Sequence, residues 1–252
     1  MSRPYVLVIG GVDPTGGAGL AADVRAVSYS GGYATSVATA IAVQTSQTLL
    51  NMQPLPLDLV LQQTQAVLEE LRPDAVKIGL VSSTTMLSAL LDQVAHVAVR
   101  VVDPVLSTGT GTAFHTGNDP SEWLNALGKA TLVTPNLPEG RALLGSSAEG
   151  LTQRELAAEL AAALDTSVLL KGGHSELFTG DVLARTNGSV QAFPHTPIPN
   201  LDVRGTGCAL ASHLAVRLAA YGVDVGVPKA MQDLQTRFGL RLPYGKLRTV
   251  LP

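Results

Sequence analysis

A chain of 252 residues, 46% of them hydrophobic, can bury a sizeable core, and a charged fraction of 15%, below the usual ~25%, fits a compact fold better than a disordered one. A formal charge of −3 with no basic stripe argues against nucleic acid as a partner. The single cysteine excludes an internal disulfide and a multi-cysteine zinc site; with an N-terminal apolar run too short for a signal peptide and no run near ~20 apolar residues, a cytoplasmic location without membrane contact is expected.

Short apolar runs alternate with longer amphipathic ones. A strand is predicted at Tyr5–Gly11 and a helix over Ala18–Ser30, while Gly32–Gln44 reads as either strand or helix. A helix over Leu57–Leu71 stops before Pro73 and is followed by a strand at Ala75–Leu80 and a helix over Ser83–Ala95. Strands at Val99–Val105 and Thr131–Pro135 precede a helix over Leu137–Leu144. Thr152 and Glu155 have capping-box spacing at the start of a helix over Thr152–Leu164, ahead of a strand at Ser167–Gly172; the last helix spans Gly207–Tyr221. Continuous β-branched strands between helices predict a buried, mostly parallel sheet with helices on both faces, in one α/β domain spanning 1–252.

In such a sheet a ligand sits beyond the carboxyl ends of the strands. The first strand leads into Gly10-Gly11-Val12-Asp13-Pro14-Thr15-Gly16-Gly17, and the others lead into Asp103-Pro104, Thr134-Pro135-Asn136 with Glu139 a turn later, and Lys171-Gly172-Gly173-His174. Asp103, Asn136 and Glu139 are hard oxygen donors suited to Mg²⁺, directly or through water, and Lys171 is a point charge suited to phosphate. Each has an ordinary alternative. Asp before Pro starts turns, Asn136 with Glu139 matches a capping box, and a loop lysine is often merely solvated. Their equivalent places on successive strands favour a site.

The stretch Val203–Ala215, VRGTGCALASHLA, sets Gly205, Thr206 and Gly207 at a helix entrance. Free amides and the helix dipole there make an anion site, and glycine lets a phosphate approach the backbone; the ordinary reading is an N-cap by Thr206. Cys208 falls in the first turn, where the dipole lowers a thiol pKa; it reads as a base, as an amide donor to the anion hole, or as a packed side chain. The run Gly17–Ala22 matches G-x-G-x-x-A but does not come directly off the strand and lacks an acid ~20 residues on. No P-loop or G-x-S-x-G is present, and the histidines show no metal spacing, with His213 read as a surface or packing residue.

Taken in order, GGVDPTGGAGLAAD (Gly10–Asp23), VKIGL (Val76–Leu80), DPV (Asp103–Val105), TPNLPE (Thr134–Glu139), LKGGH (Leu170–His174) and GTGC (Gly205–Cys208) resemble hydroxymethylpyrimidine/phosphomethylpyrimidine kinases of thiamine biosynthesis, in the ribokinase-like superfamily. The resemblance implies a three-layer α/β/α sandwich with a mostly parallel sheet of about 8–9 strands and a small lid. It implies ATP and Mg²⁺, with γ-phosphoryl transfer to 4-amino-5-hydroxymethyl-2-methylpyrimidine and then to its monophosphate. Carried over by position, Gly11, Asp23 and Gln44 hold the ring, which Leu80 and Val105 line. Asn136 and Glu139 organise Mg²⁺ and phosphates, Lys171 holds the ATP phosphates, and Gly205, Thr206 and Gly207 form the anion hole. Cys208 stands where sugar kinases of the superfamily carry an Asp base.

This sequence departs from the family pattern at Thr45-Ser46-Gln47, where Asn-Thr and a glycine usually follow the Gln. It departs also at Arg204 in place of His, in a Gly/Thr-rich segment Leu106–Thr116, and in the tail Gly239–Pro252. A pyridoxine/pyridoxal kinase on the same scaffold and a non-catalytic pyrimidine sensor are the alternatives; Gln44 favours the pyrimidine, because an amide pairs with both a ring nitrogen and an exocyclic amine. Relatives are commonly dimers, so a homodimer is expected, with Val37 and Ile41 as candidate contact positions.

Overall fold

The structure is a computed structural model that describes residues 3–106, 119–172, 180–195, 203–245 and 248–252. In chain order the elements are β1 (Tyr5–Val12), α1 (Gly19–Tyr29), β2 (Tyr33–Gln44), β3 (Leu49–Pro54), α2 (Leu57–Glu70), β4 (Ala75–Ile78), α3 (Thr84–Gln93), β5 (Val99–Val102), α4 (Pro120–Leu127), β6 (Leu132–Val133), α5 (Leu137–Leu144), α6 (Gln153–Leu164), β7 (Ser167–Leu170), β8 (Gly180–Ala184), β9 (Val190–Pro194), β10 (Val203–Arg204), α7 (Thr206–Gly239), β11 (Leu242–Tyr244) and β12 (Arg248–Val250). Among the described residues, nine strands form one sheet in the order β3-β2-β1-β4-β5-β6-β7-β8-β9. From β2 to β7 all neighbouring pairs are parallel, and the antiparallel strands lie outside that block. The segment that read as either strand or helix is β2.

Strand alternation builds the two layers of core. Leu7 and Ile9 of β1 join Val76, Ile78, Val102 and Val133 against α2 to α6. Val6 and Val8 point the other way and meet Val101, Leu132 and Leu169 under α1 and α7. Chain order reverses between β1 and β4, since β2 follows β1 on one side and β4 lies on the other. A crevice therefore opens at the carboxyl ends of that pair.

The final helix runs well past Tyr221, with a break at Gly222 (φ 70°, ψ −178°). By length and mean hydropathy (1.2) it is apolar enough to cross a bilayer, contrary to the sequence reading, but half of that window is buried in the fold. Leu210, Leu214 and Val216 belong to the core beneath the sheet. After α7 the chain adds a small sheet in which β12 pairs with both β10 and β11.

His213 is fully buried on α7. A guanidinium only donates, so Nε2 accepts from Arg237 Nη1 at 3.1 Å, and the ring proton sits on Nδ1, 2.7 Å from Ser30 Oγ. Burial, then the charge of Arg237, push the imidazole down from 6.5 to about 3. A folded value below the unfolded one gives stability that is complete above 6.5 and is lost as pH falls towards 3. The slope from one such group reaches ~1.4 kcal/mol per pH unit. Denaturant titrations between pH 7.5 and 4 are expected to show a steep loss of stability that is shallower in His213→Gln.

Candidate active site

Because the strands from β2 to β7 run in one direction, their carboxyl ends deliver side chains to a single edge. β2 ends at Gln44, and β1 passes through Gly11 into Asp13. Leu80 follows β4; Asp103 and Val105 follow β5; Asn136 follows β6; Lys171 follows β7. Gly11 and Leu80 face each other across the crevice, and a β-carbon built on Gly11 would lie 2.9 Å from Leu80 Cδ2. Val105 is half-buried on the same edge. Gln44, Gly11, Leu80 and Val105 thus occupy the β2-β1-β4-β5 half of the edge, and Asn136 and Lys171 occupy the β6-β7 half.

On the second half, Lys171 is held by its backbone, with its N–H donating to Pro135 O at 2.8 Å. Its Nζ lies 2.6 Å from Asp103 Oδ1. Burial alone would lower its pKa, but the charges of Asp103 and Glu139 outweigh that and hold it above the ordinary lysine value. Asn136 and Glu139 make the complete capping box of α5: Asn136 N donates to Glu139 Oε2 and Glu139 N to Asn136 Oδ1, each at 2.8 Å. Burial raises the Glu139 carboxyl to about 7, with Lys171 pulling the other way. The capping reading holds, and the box stands Glu139 where the charge of Lys171 acts on it.

Gly205 caps α7 in the left-handed region (φ 78°), and no side chain caps this N-terminus, so Thr206 is not the N-cap. The turn from Gly205 to Cys208 is half-exposed. On one side it touches the loop after β1: a β-carbon on Gly205 would run into Gly17 O. On the other it meets the charged group, since a β-carbon on Gly207 would lie 3.3 Å from Lys171 Nζ and 3.4 Å from Asp103 Oδ2. Uncapped amides, the helix dipole and a lysine thus converge on one point, with Gly11, Gln44, Leu80 and Val105 to one side.

A family model described as phosphomethylpyrimidine kinase matches residues 13–245. The chain belongs to the phosphomethylpyrimidine kinase family. It is 32% identical over 239 residues to the hydroxymethylpyrimidine/phosphomethylpyrimidine kinase of Salmonella typhimurium, covering 91% of this chain and 90% of that protein. It is 32% identical over 226 residues to the thiamine biosynthesis multifunctional protein ThiED of Corynebacterium glutamicum, covering 87% of this chain but only 29% of that protein's length. The crystal structure of phosphomethylpyrimidine kinase from Clostridium difficile 630 superposes with a TM-score of 0.78 at 26% identity, covering 94% of this chain and all of that one. The fold is ribokinase-like, as the motifs imply.

Within this phosphomethylpyrimidine kinase fold three sequence expectations need correction. Asp23 is not an open ligand group: it is fully buried, and its carboxylate is held at 2.9 Å by Lys77 and by Ser212 Oγ. Cys208 is not a low-pKa thiol: although the residue is only half-buried, desolvation of its thiol pushes it up to about 11, only partly offset by Lys77. Cys208→Ser and Cys208→Ala are expected to keep turnover within about threefold of the parent, and a loss beyond ~10²-fold in the alanine variant would restore the proton-acceptor role. Third, Asp103 and Glu139 are not free carboxylates: Lys171 lies 2.6 Å from Asp103 and its charge acts on Glu139, and Asp103 also accepts from Thr134. Residues 107–116 of the expected flap, with Gly173 and His174, lie outside the described residues.

Two residues of the site were missed from the sequence. Lys77, 1% exposed in the middle of β4, is held charged by Asp23, whose attraction overcomes the cost of burial. The signal was a lysine inside an otherwise apolar strand, a place where a charge needs a partner. Asp13 organises the loop after β1, accepting from Thr15 N, Thr15 Oγ1 and Ala18 N at 2.5–3.0 Å. Burial would raise its pKa, but hydrogen bonds from Gln44 and Thr15 and the charge of Arg204 bring it below the usual carboxylate value.

Proposed function

We propose that this chain transfers the γ-phosphoryl group of ATP to the hydroxymethyl oxygen of 4-amino-5-hydroxymethyl-2-methylpyrimidine, and then a second one to the resulting monophosphate. The uncapped turn from Gly205 to Gly207, standing between the ring-lining half of the sheet edge and Lys171, carries this reading. Gln44 and Gly11 orient the flat ring, with Leu80 and Val105 against its faces. Lys171 and the turn amides meet the negative charge of the phosphates, and Mg²⁺ enters as part of the magnesium–ATP substrate. Phosphoryl transfer asks mainly for alignment and charge neutralisation, which backbone amides and a fixed ammonium supply without a strong base.

The test is ADP release with magnesium–ATP and, separately, the hydroxymethylpyrimidine, its monophosphate and pyridoxal. Turnover of the first two with kcat/KM at least tenfold above that for pyridoxal is expected. A preference for pyridoxal, or stabilisation by the pyrimidine without turnover, would replace this function with one of the two alternatives. We also place a homodimer contact on the β2–β3 side, where Ile41, Val43 and Leu50 are 49%, 52% and 65% exposed. Val37 does not contribute, being in the core. Sedimentation of Ile41→Glu against the parent checks this, and a parent that sediments as a monomer would end it.

A further inference from the structure

Two cations flank the turn, and they belong to different halves of the edge. Lys171 stands on the β7 side against Asp103. Arg204 stands on the β1 side, as the last residue of β10 before Gly205. A β-carbon on Gly17 would lie 2.9 Å from Arg204 Cδ, so the side chain packs over the loop after β1. Its Nε is 3.6 Å from Asp13 Oδ2, in the same carboxylate group that Gln44 reaches.

The protein leaves this guanidinium under-used. Arginine–carboxylate pairs close at about 2.7–2.9 Å, often through two bonds. Here the separation is longer, and the buried Nε has no hydrogen-bond partner. Asp13 has other donors besides the charge of Arg204, because Thr15 and the Ala18 amide donate to the carboxylate. The result is a guanidinium, 19% exposed, with only a long ion pair to Asp13, standing on the opposite side of the turn from the lysine.

Resting on the function proposed above, we infer that Arg204 binds the phosphate of the acceptor in the second transfer, so that the site treats the monophosphate and the alcohol as different substrates. In that step an oxygen of the acceptor phosphate forms the new bond to Pγ. The bond from Pγ to the bridging oxygen of ATP breaks, and ADP leaves with the electron pair. The acceptor is largely dianionic above pH ~6, so no base has to remove a proton. What the step needs is a cation that keeps two anionic phosphates from repelling each other, and Lys171 and the turn amides are engaged with ATP.

The experiment compares the parent with Arg204→Gln and Arg204→Lys. KM for the monophosphate is expected to rise about 30-fold or more in Arg204→Gln, that for the alcohol to change less than threefold, and Arg204→Lys to fall between parent and Gln variant for the monophosphate alone. Equal changes for both acceptors, or none, would overturn the inference. Thermal shift without ATP separates it from the function itself. The upshift given to the parent by the monophosphate should shrink in Arg204→Gln while that given by the alcohol persists, even if the parent turns over neither compound. An undiminished monophosphate upshift in a folded Arg204→Gln would refute the assignment.

Discussion

Replacing Lys171 with alanine is expected to cut kcat/KM for magnesium–ATP by about 10²–10³-fold, the usual cost of removing one preorganised charge-stabilising donor. The loss should fall on catalysis more than on folding. Asp103 keeps its hydrogen bond from Thr134, and Glu139, with a pKa of about 7, sheds charge easily by taking up a proton. A melting temperature lowered by less than ~10 °C is therefore expected, at ~2–4 °C per kcal/mol for a domain of this size. A second signature follows from charge. Lys171 is what pulls the Glu139 pKa down against burial, so an activity limb near 7 in the parent should move to higher pH in the variant. Comparable losses in ATP use and in stability, with an unmoved pH profile, would make Lys171 a structural residue only.

The second large effect is expected at Gly205. Any side chain there meets two obstacles at once. The left-handed φ of 78° costs a non-glycine residue ~1–2 kcal/mol, and the β-carbon would sit 3.2 Å from Gly17 C and 3.3 Å from Ala18 Cα, in addition to its clash with Gly17 O. Every one of those atoms is backbone, so nothing can swing aside. The turn must lift away from the loop after β1, carrying the amides of Gly207 and Cys208 with it. A misplacement near 1 Å costs about 10² in rate. Gly205→Ala is thus expected to lose at least ~10²-fold in kcat as well as ~2 kcal/mol or more of stability. Gly188→Ala is the comparison: its φ is 81°, but nothing lies within 4 Å of the added carbon. It should show the backbone strain alone, with parental turnover.

Much of the sheet is legible in the sequence because its central strands are largely buried and therefore read as short, mostly apolar runs: YVLVI, AVKI, VRVV and SVLL. Their ends are less legible. Val99–Val105 stops as a strand at Val102, since Pro104 cannot donate to a ladder. β3, β8 and β9 escaped notice because LLNMQP shows no alternation, GDVLA is only five residues of mixed character, and VQAFP is a half-exposed edge. The site was easier to place than to assign. The strand-end rule brings Gly11, Asp103, Asn136 and Lys171 to one edge, and the resemblance adds Gln44, but a linear sequence does not say which charges neutralise one another. The family resemblance gave Asp23 as a ring ligand, yet its charge meets Lys77. The dipole argument for Cys208 was sound in isolation and lost to desolvation, a quantity set by tertiary packing.

The small sheet at the end of the chain ties distant parts of the molecule together. β12 is paired with β10, the strand that feeds the anion turn. Tyr244 donates to Thr15 Oγ1, and Arg25 binds Leu251 O at 3.3 Å and Gly16 O at 2.6 Å. The loop that would cradle the ring therefore cannot breathe without loosening the tail. Hydrogen–deuterium exchange at the amides of Thr249 and Val250 should then slow when that loop is occupied, reporting on it from the far end of the chain.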